Sequence, residues 1–243
     1  VSDRQESCPQ ALLSPLSPHR VLDVGCGDGS FTRTLAALLR SAHEILGIDP
    51  DKDSIDEART LTGDPRVRYR VLADHELIRA SGRYNLVSIS NTLHHLTQPV
   101  LSIRRVQTFL APGGLLLVRE MVSDGLTEAE VNSREIHHVK AEVDRACGRV
   151  HDPTYTREQI RRIVHEGAAG WNILASCEEH STPVPDTGAL DYVRGYLSHL
   201  SDQRLIELSG RRLDEVGAAI ARVGIAQPPR LLVLLAAPDK SIS

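Results

Sequence analysis

The chain has 243 residues, of which 41% are hydrophobic and 25% charged, and its formal net charge is -4. This length suits one α/β unit, expected here as a single domain over 1–243. The mild negative charge gives no electrostatic reason to bind nucleic acid or an anionic membrane. No stretch approaches the roughly 20 consecutive apolar residues of a membrane span. The polar opening VSDRQESCPQ has no apolar leader pattern, so a cytoplasmic location is expected. Cys8, Cys26, Cys147 and Cys177 are scattered and form no CxxC pair. That pattern predicts neither a disulfide framework nor a Cys-rich zinc site, and suits a reducing compartment.

Taken in chain order, short aliphatic runs at 20–24, 44–48, 67–72, 85–90, 115–120, 172–178 and 230–236 predict seven strands. Helical stretches are expected at 30–40, 53–61, 74–79, 99–110 and 157–166, the last opened by a Thr156/Gln159 capping box and stopped by Gly167. This alternation is the pattern of a mostly parallel sheet built from βαβ units. Two connections, about 121–155 and 180–227, exceed what a crossover needs and read as mostly helical insertions after strands 5 and 6. In an open α/β sheet such insertions cover the ligand crevice at the carboxyl ends of the strands, so a substrate lid is expected from them.

The chemistry starts at VLDVGCGDGS. A strand ending at Val24 runs into Gly25-Cys26-Gly27-Asp28-Gly29 and then a helix from Ser30. Glycines there permit a tight turn and let a ligand approach the backbone at a helix N-terminus. The next strand ends in ILGIDP, where Asp49 lies about 20 residues further on and can accept both hydroxyls of a ribose. Asp74, in VLADHEL, stands at the third strand's tip, positioned either to accept from an adenine amine or to cap the short helix after it. The glycine spacing is GxGxG rather than the dinucleotide GxGxxG, with Ser30 where the third glycine would fall. Asp23, a carboxylate near the end of a buried strand, needs a positive charge or several donors. It would repel a pyrophosphate and welcome the ammonium and sulfonium of S-adenosylmethionine.

At these residues the chain resembles the class I S-adenosylmethionine-dependent methyltransferases. VLDVGCGDGSFT is similar to their first motif, GIDPD to the acidic second, LADHEL to the adenine-contact segment, YNLVSISNTLHHL to the fourth, and LAPGGLLLVRE to the fifth-strand signature. The resemblance implies a Rossmann-like seven-stranded sheet of order 3-2-1-4-5-7-6 with the last strand antiparallel. It places Asp23, Gly25, Gly27 and Gly29 around the methionyl part, with Cys26 between them, and Asp49, followed by Pro50, on the ribose. Asp74 and His75 fall at adenine and Asn91 near the methyl-donor centre. Few residues precede the first strand, which leaves the lid to the insertions. SNTLHH replaces the (Asp/Asn)-Pro-Pro-(Tyr/Phe) of base amino methylation, which argues against a DNA or RNA substrate. A small-molecule acceptor is expected, and the oligomeric state is left open. The rival readings are a nicotinamide-dependent oxidoreductase and a cofactor-binding protein without methyl transfer.

Methyl transfer needs a base only when the acceptor must first lose a proton, and histidine suits that task. Of the pair in NTLHHL, His95 is expected to pack at the helix start and fix the loop, leaving His94 to touch substrate or cofactor. In the first insertion Ile136, Val139, Val143 and Ala146 form one helical stripe, with His137, Lys140 and Asp144 on a neighbouring face and His138 nearly opposite. His137 and Asp144 lie two turns apart, too far to touch directly, though a ligand could bridge them. Beyond Gly148, His151 and Asp152 lead a loop back towards the sheet. His94, His138 and His151 are the candidate catalytic residues, as bases or as solvated and capping groups. Convergence of His137 or His138, Asp144 and His151 as ligands to a divalent metal is a third option, but no HxH, HxxxH or HExxH spacing supports it and no metal is expected. In the second insertion Leu190, Val193, Tyr196 and Leu197 share a face, which either lines the acceptor pocket or packs as an ordinary helix.

Overall fold

The computed structural model describes residues 7–72, 83–182, 184, 188–198 and 200–238. Seven strands, β1 (Arg20–Val24), β2 (Glu44–Asp49), β3 (Val67–Val71), β4 (Tyr84–Ser90), β5 (Leu110–Met121), β6 (Asn172–Glu179) and β7 (Arg230–Ala236), form one sheet of order β3-β2-β1-β4-β5-β7-β6. The pairings from β3 to β5 are parallel, whereas β7 runs antiparallel to both β5 and β6. This is the expected architecture. β5 starts five residues earlier than predicted, because Leu110 already pairs with Tyr84 and the APGG stretch is taken up in a register shift before Leu115 pairs with Leu86.

Alternate strand residues point to opposite faces, and each face is covered by helices. On one side Leu22, Leu46, Val87 and Leu116 pack against Ile103 and Val106 of α4 (Pro99–Gln107) and Ile160 and Val164 of α6 (Arg157–Gly167). On the other side Val21, Ile45, Leu86 and Leu117 meet Leu12 and Leu13 of α1 (Cys8–Leu13) and Phe31 and Leu35 of α2 (Ser30–Leu38). Helix α3 (Lys52–Leu61) begins at Asp51, whose side chain accepts the Ser54 N–H, and buries Ile55 and Ala58 against Tyr69.

The two long connections hold α5 (Glu128–Ala146), α7 (Gly188–Leu197) and α8 (Gln203–Val223). Thr127 and Glu130 form a capping box that starts α5, a signal in LTEAE that the stripe-based reading left aside. These three helices bury a third apolar cluster made of Ile136, Val139, Val143, Leu190, Val193, Leu213, Val216 and Ile220. Leu190, Val193 and Leu197 therefore do ordinary packing, while the exposed Tyr192 borders the central cleft.

The cysteines correct one expectation. Cys8 of α1 and Cys177 of β6 form a disulfide across a sequence separation of 169, leaving Cys26 and Cys147 as the free thiols. Spacing could not reveal this pair, because α1 reaches β6 only once the sheet is complete. Two thiols per chain are expected to react in denaturant without reductant and four after reduction; four in both conditions would refute the pairing. Among the described residues no helix is long and apolar enough to cross a membrane.

Candidate active site and cofactor cleft

At the carboxyl ends of β1, β2 and β4 the chain encloses a cleft of about 1040 Å³ whose walls include Gly25, Gly27, Asp49, Asn91, Thr92 and His95. Lys140 and Asp144 of α5 and Tyr192 of α7 close its other side. The glycines of the first turn have different reasons to lack a side chain. A Cβ on Gly25 would lie 2.3 Å from Thr92 Cγ2 and one on Gly29 2.3 Å from the Tyr69 hydroxyl, so protein neighbours exclude it. Gly27, at φ +50°, has nothing within 4 Å of its missing Cβ. That open space faces the cleft and suits a ligand lying along the backbone.

Asp49 braces the same turn: its two oxygens accept the Gly27 and Asp51 N–H groups, each at 2.9 Å. Burial pushes its carboxyl above the ordinary value, against the pull of those two donors. Asn91 ends β4 with φ 49°, an unusual backbone for a side chain other than glycine, and its buried Oδ1 has no partner among the described residues. Asparagine tolerates this left-handed conformation better than most residues, and the unpaired acceptor beside the cleft leaves it free to meet a ligand. Glycine turn, Asp49 and Asn91 thus fit a nucleoside carrying a cationic tail. Asp23 meets the several donors it was expected to need: the Ser88 and Thr32 hydroxyls donate to its two oxygens, each at 2.6 Å. Burial raises its pKa to about 6 despite those hydroxyls. Beside it Arg119, which the sequence reading did not single out, borders a smaller pocket with Gly25, Gly27 and Asn91, paired to Glu179 at 2.6 Å.

Behind the cleft wall four imidazoles cluster. β4 ends in a 3₁₀ turn, Leu93–His95, that sends its two histidines in different directions. His94 is buried, with Nδ1 2.8 Å from Glu120 Oε1. Glu120 also accepts the Leu93 and Met121 N–H groups, as a carboxylate would. The His94 ring then carries its proton on Nδ1, and its buried Nε2 is left without a partner among the described residues. An unmatched buried nitrogen costs about 1–3 kcal/mol. His151 repeats the arrangement: Nδ1 lies 2.7 Å from Asp144 Oδ2, and Nε2 lies 3.1 Å from His137 Nε2. His95 is exposed to the cleft and its ring packs, tilted by 43°, at 4.3 Å from His94 and 4.1 Å from His151 between centroids.

Asp144 anchors this group. Burial pushes its carboxyl up, but hydrogen bonds from His151, Lys140 and Tyr196 outweigh that and hold it well below the ordinary carboxylate range. Burial and the neighbouring rings of His94 and His151 drive His137 down to about 2, so it is neutral at pH 7.

A family model described as a methyltransferase domain matches residues 3–176, well over half of the chain. The chain belongs to the class I S-adenosylmethionine-dependent methyltransferases. It is 27% identical over 233 residues to an uncharacterized 37.1 kDa protein in a transposon of Streptomyces fradiae, covering 85% of this chain and 63% of that one. It is 35% identical over 108 residues to the ubiquinone biosynthesis O-methyltransferase of Marinobacter nauticus, covering 42% of this chain and 44% of that enzyme. The chain therefore spans less than two thirds of these curated relatives. A cyclopropane-fatty-acyl-phospholipid synthase-like protein from Lactobacillus casei shares the fold at a TM-score of 0.67 and 14% identity, over 93% of this chain and 87% of that one. The N-methyltransferase NodS of Bradyrhizobium japonicum, solved with S-adenosyl-L-homocysteine, does so at 0.52 and 17%, over 93% and 82%.

S-adenosylmethionine is the cofactor of this methyltransferase, and family membership sets aside the nicotinamide-dependent alternative. Of the sequence-predicted cofactor residues, Gly25, Gly27, Asp49, Pro50 and Asn91 line the central cleft, and Asp23, Cys26, Gly25, Gly27 and Asn91 the smaller pocket beside it. Gly29 shapes the turn from behind, and Asp74 and His75 lie outside the described residues. The two histidines of NTLHHL exchange their expected places. His94 is buried on Glu120, which fixes the ring, and His95 meets the cleft. His138 sits apart from the cluster's centre: its Nε2 accepts the Thr154 N–H at 3.3 Å and meets the Thr154 hydroxyl at 3.0 Å, pinning the 148–155 loop to α5. Between His137 and Asp144 stands a side chain of this chain, His151, where the sequence reading had looked to a ligand. Glu120, the partner that orients His94, could have been suspected only from its position at the end of the fifth strand.

Proposed function

We propose that this methyltransferase moves a methyl group from S-adenosylmethionine to a small-molecule acceptor, with α5 and α7 forming the lid of a single domain. One observation carries the reading. A single cleft has the glycine turn and Asp49 on one wall and His95, Lys140, Asp144 and Tyr192 on the other, so cofactor and acceptor sides face each other. Its volume of about 1040 Å³ is at the upper end of small-molecule pockets. A relative named for O-methyl transfer in ubiquinone biosynthesis supports an acceptor of metabolite size.

When bound, the cofactor supplies a methyl on a positively charged sulfur, primed for in-line displacement. Asp49 holds the ribose and the glycine turn lets the methionyl part lie against the backbone. The lid positions the acceptor atom and excludes water, which accounts for most of the acceleration in a reaction of this kind. His95 takes the acceptor's proton. Burial, together with His94 and His151, pushes it down to about 3, so it is neutral at pH 7 and accepts the proton as a weak base. Glu120 and Asp144 keep His94 and His151 in place behind it. Incubation of the protein with methyl-labelled S-adenosylmethionine and a metabolite extract is expected to yield a labelled product of metabolite mass. Retention of all label in the donor, with S-adenosylhomocysteine still binding, would reduce the protein to a cofactor binder.

A further inference from the structure

Three imidazoles from three separate segments meet behind the cleft: His94 from the turn after β4, His137 from α5 and His151 from the 148–155 loop. One ligand nitrogen from each lies within 4.8 Å of the others. The closest pair, His137 Nε2 and His151 Nε2, is 3.1 Å apart. Imidazole nitrogens held 2.0–2.1 Å from a tetrahedral zinc are about 3.3 Å from each other, so His137 and His151 already stand at coordination spacing, and binding would draw the third nitrogen, of His94, in from within 4.8 Å.

Two features go beyond proximity. First, His94 and His151 each give Nδ1 to a carboxylate, Glu120 at 2.8 Å and Asp144 at 2.7 Å. That is the outer-shell arrangement of metal-bound histidines, in which a carboxylate fixes the tautomer and leaves Nε2 as the donor atom. Second, His94, 1% exposed, presents an Nε2 with no partner among the described residues, and its ring faces His137 at 5.0 Å and His151 at 5.5 Å between centroids. Every imidazole added to a protein-only cluster brings another lone pair that must be matched, and the contact of His137 with His151 matches only one of them.

We propose that His94, His137 and His151 form a site for one divalent transition cation of the zinc type, which fastens lid helix α5 and the 148–155 loop to the turn after β4. Neutral imidazole donors favour Zn²⁺, Co²⁺ or Ni²⁺ over Mg²⁺ or Ca²⁺, which require oxygen ligands. The nearby carboxylates do not supply them: Glu120 accepts His94, Leu93 and Met121, and Asp144 accepts His151, Lys140 and Tyr196. The fourth position falls to water or to a neighbouring group, and the His95 ring packs tilted alongside. The cation's role is positional. His94 directly precedes His95, and the Asp152 N–H donates to the His94 carbonyl at 2.7 Å, so tightening this centre orders the wall the acceptor meets.

Titration of the purified, metal-stripped full chain with Co²⁺ tests the site without any assay of turnover. One equivalent per chain is expected to bind with a visible absorption band of nitrogen-ligated Co²⁺, to be displaced by Zn²⁺, and to be unaffected by excess Mg²⁺. His137→Ala and His151→Ala are expected to abolish the band, and Glu120→Gln to weaken Zn²⁺ affinity by about 10–100-fold. His19 and His43, with ring centroids 5.0 Å apart, are the competing surface pair, so His43→Ala serves as the control that keeps the band. If His151→Ala fails to fold by circular dichroism, His137→Gln, altered on a partly exposed helix position, decides the matter alone. No stoichiometric Co²⁺ binding, or binding that survives loss of His137, would overturn the proposal. Binding of S-adenosylhomocysteine, measured in parallel, keeps that failure separate from a failure of the methyl-transfer reading.

Discussion

Asp49→Ala is expected to weaken S-adenosylhomocysteine binding by about 100-fold or more, as measured by calorimetry on the folded variant. A hydrogen bond to a charged group contributes about 1.5–3 kcal/mol, and each 1.4 kcal/mol is a factor of ten in affinity. Two ribose hydroxyls on one carboxylate therefore account for two decades. The alanine also removes the acceptor of the Gly27 and Asp51 N–H groups, so the turn that cradles the ligand loses its brace at the same time. Asp49→Asn, which keeps a single oxygen acceptor, is expected to lose less, about tenfold. Affinity unchanged in both variants would remove Asp49 from the ribose and with it the placement of the cofactor along Gly27.

The second large effect concerns turnover. His95→Ala is expected to lower kcat by about 10²–10⁴-fold while S-adenosylhomocysteine affinity stays within about threefold, the pattern of a lost proton acceptor. The pH profile provides a separate readout. Burial of the ring face and the adjacent His94 and His151 lower the His95 pKa from its usual 6.5. A base with a lowered pKa stays unprotonated as pH falls through 6.5, so the acid limb of kcat/KM should appear below that value. His95→Ala should abolish the limb. A profile that bends at 6.5 or above, or a variant with wild-type turnover, would assign the proton to another group or to none.

What was readable from the linear chain has a local origin. A glycine turn between an aliphatic run and a helix, or an acidic residue closing the next run, is written in neighbouring residues and obeys the same stereochemistry in any surroundings. Strand order came instead from the resemblance of these motifs to the class I methyltransferases, since the local units give strands and crossovers but not their order across the sheet. The apolar stripe Ile136, Val139 and Val143 likewise announced α5, and those residues now bury against α7 and α8.

The sequence by itself therefore determined the strands, the glycine turn and the helical character of the insertions, since periodicity and turn chemistry act over a few residues. Only the tertiary structure decided that Glu120 lies under His94, that His151 links His137 to Asp144, and that Cys8 pairs with Cys177. Each of these joins side chains from separate elements, whose distance depends on how the elements pack. For the same reason the roles of His94 and His95 could not be ordered by reading: one 3₁₀ turn after β4 decides which ring enters the interior and which meets the cleft.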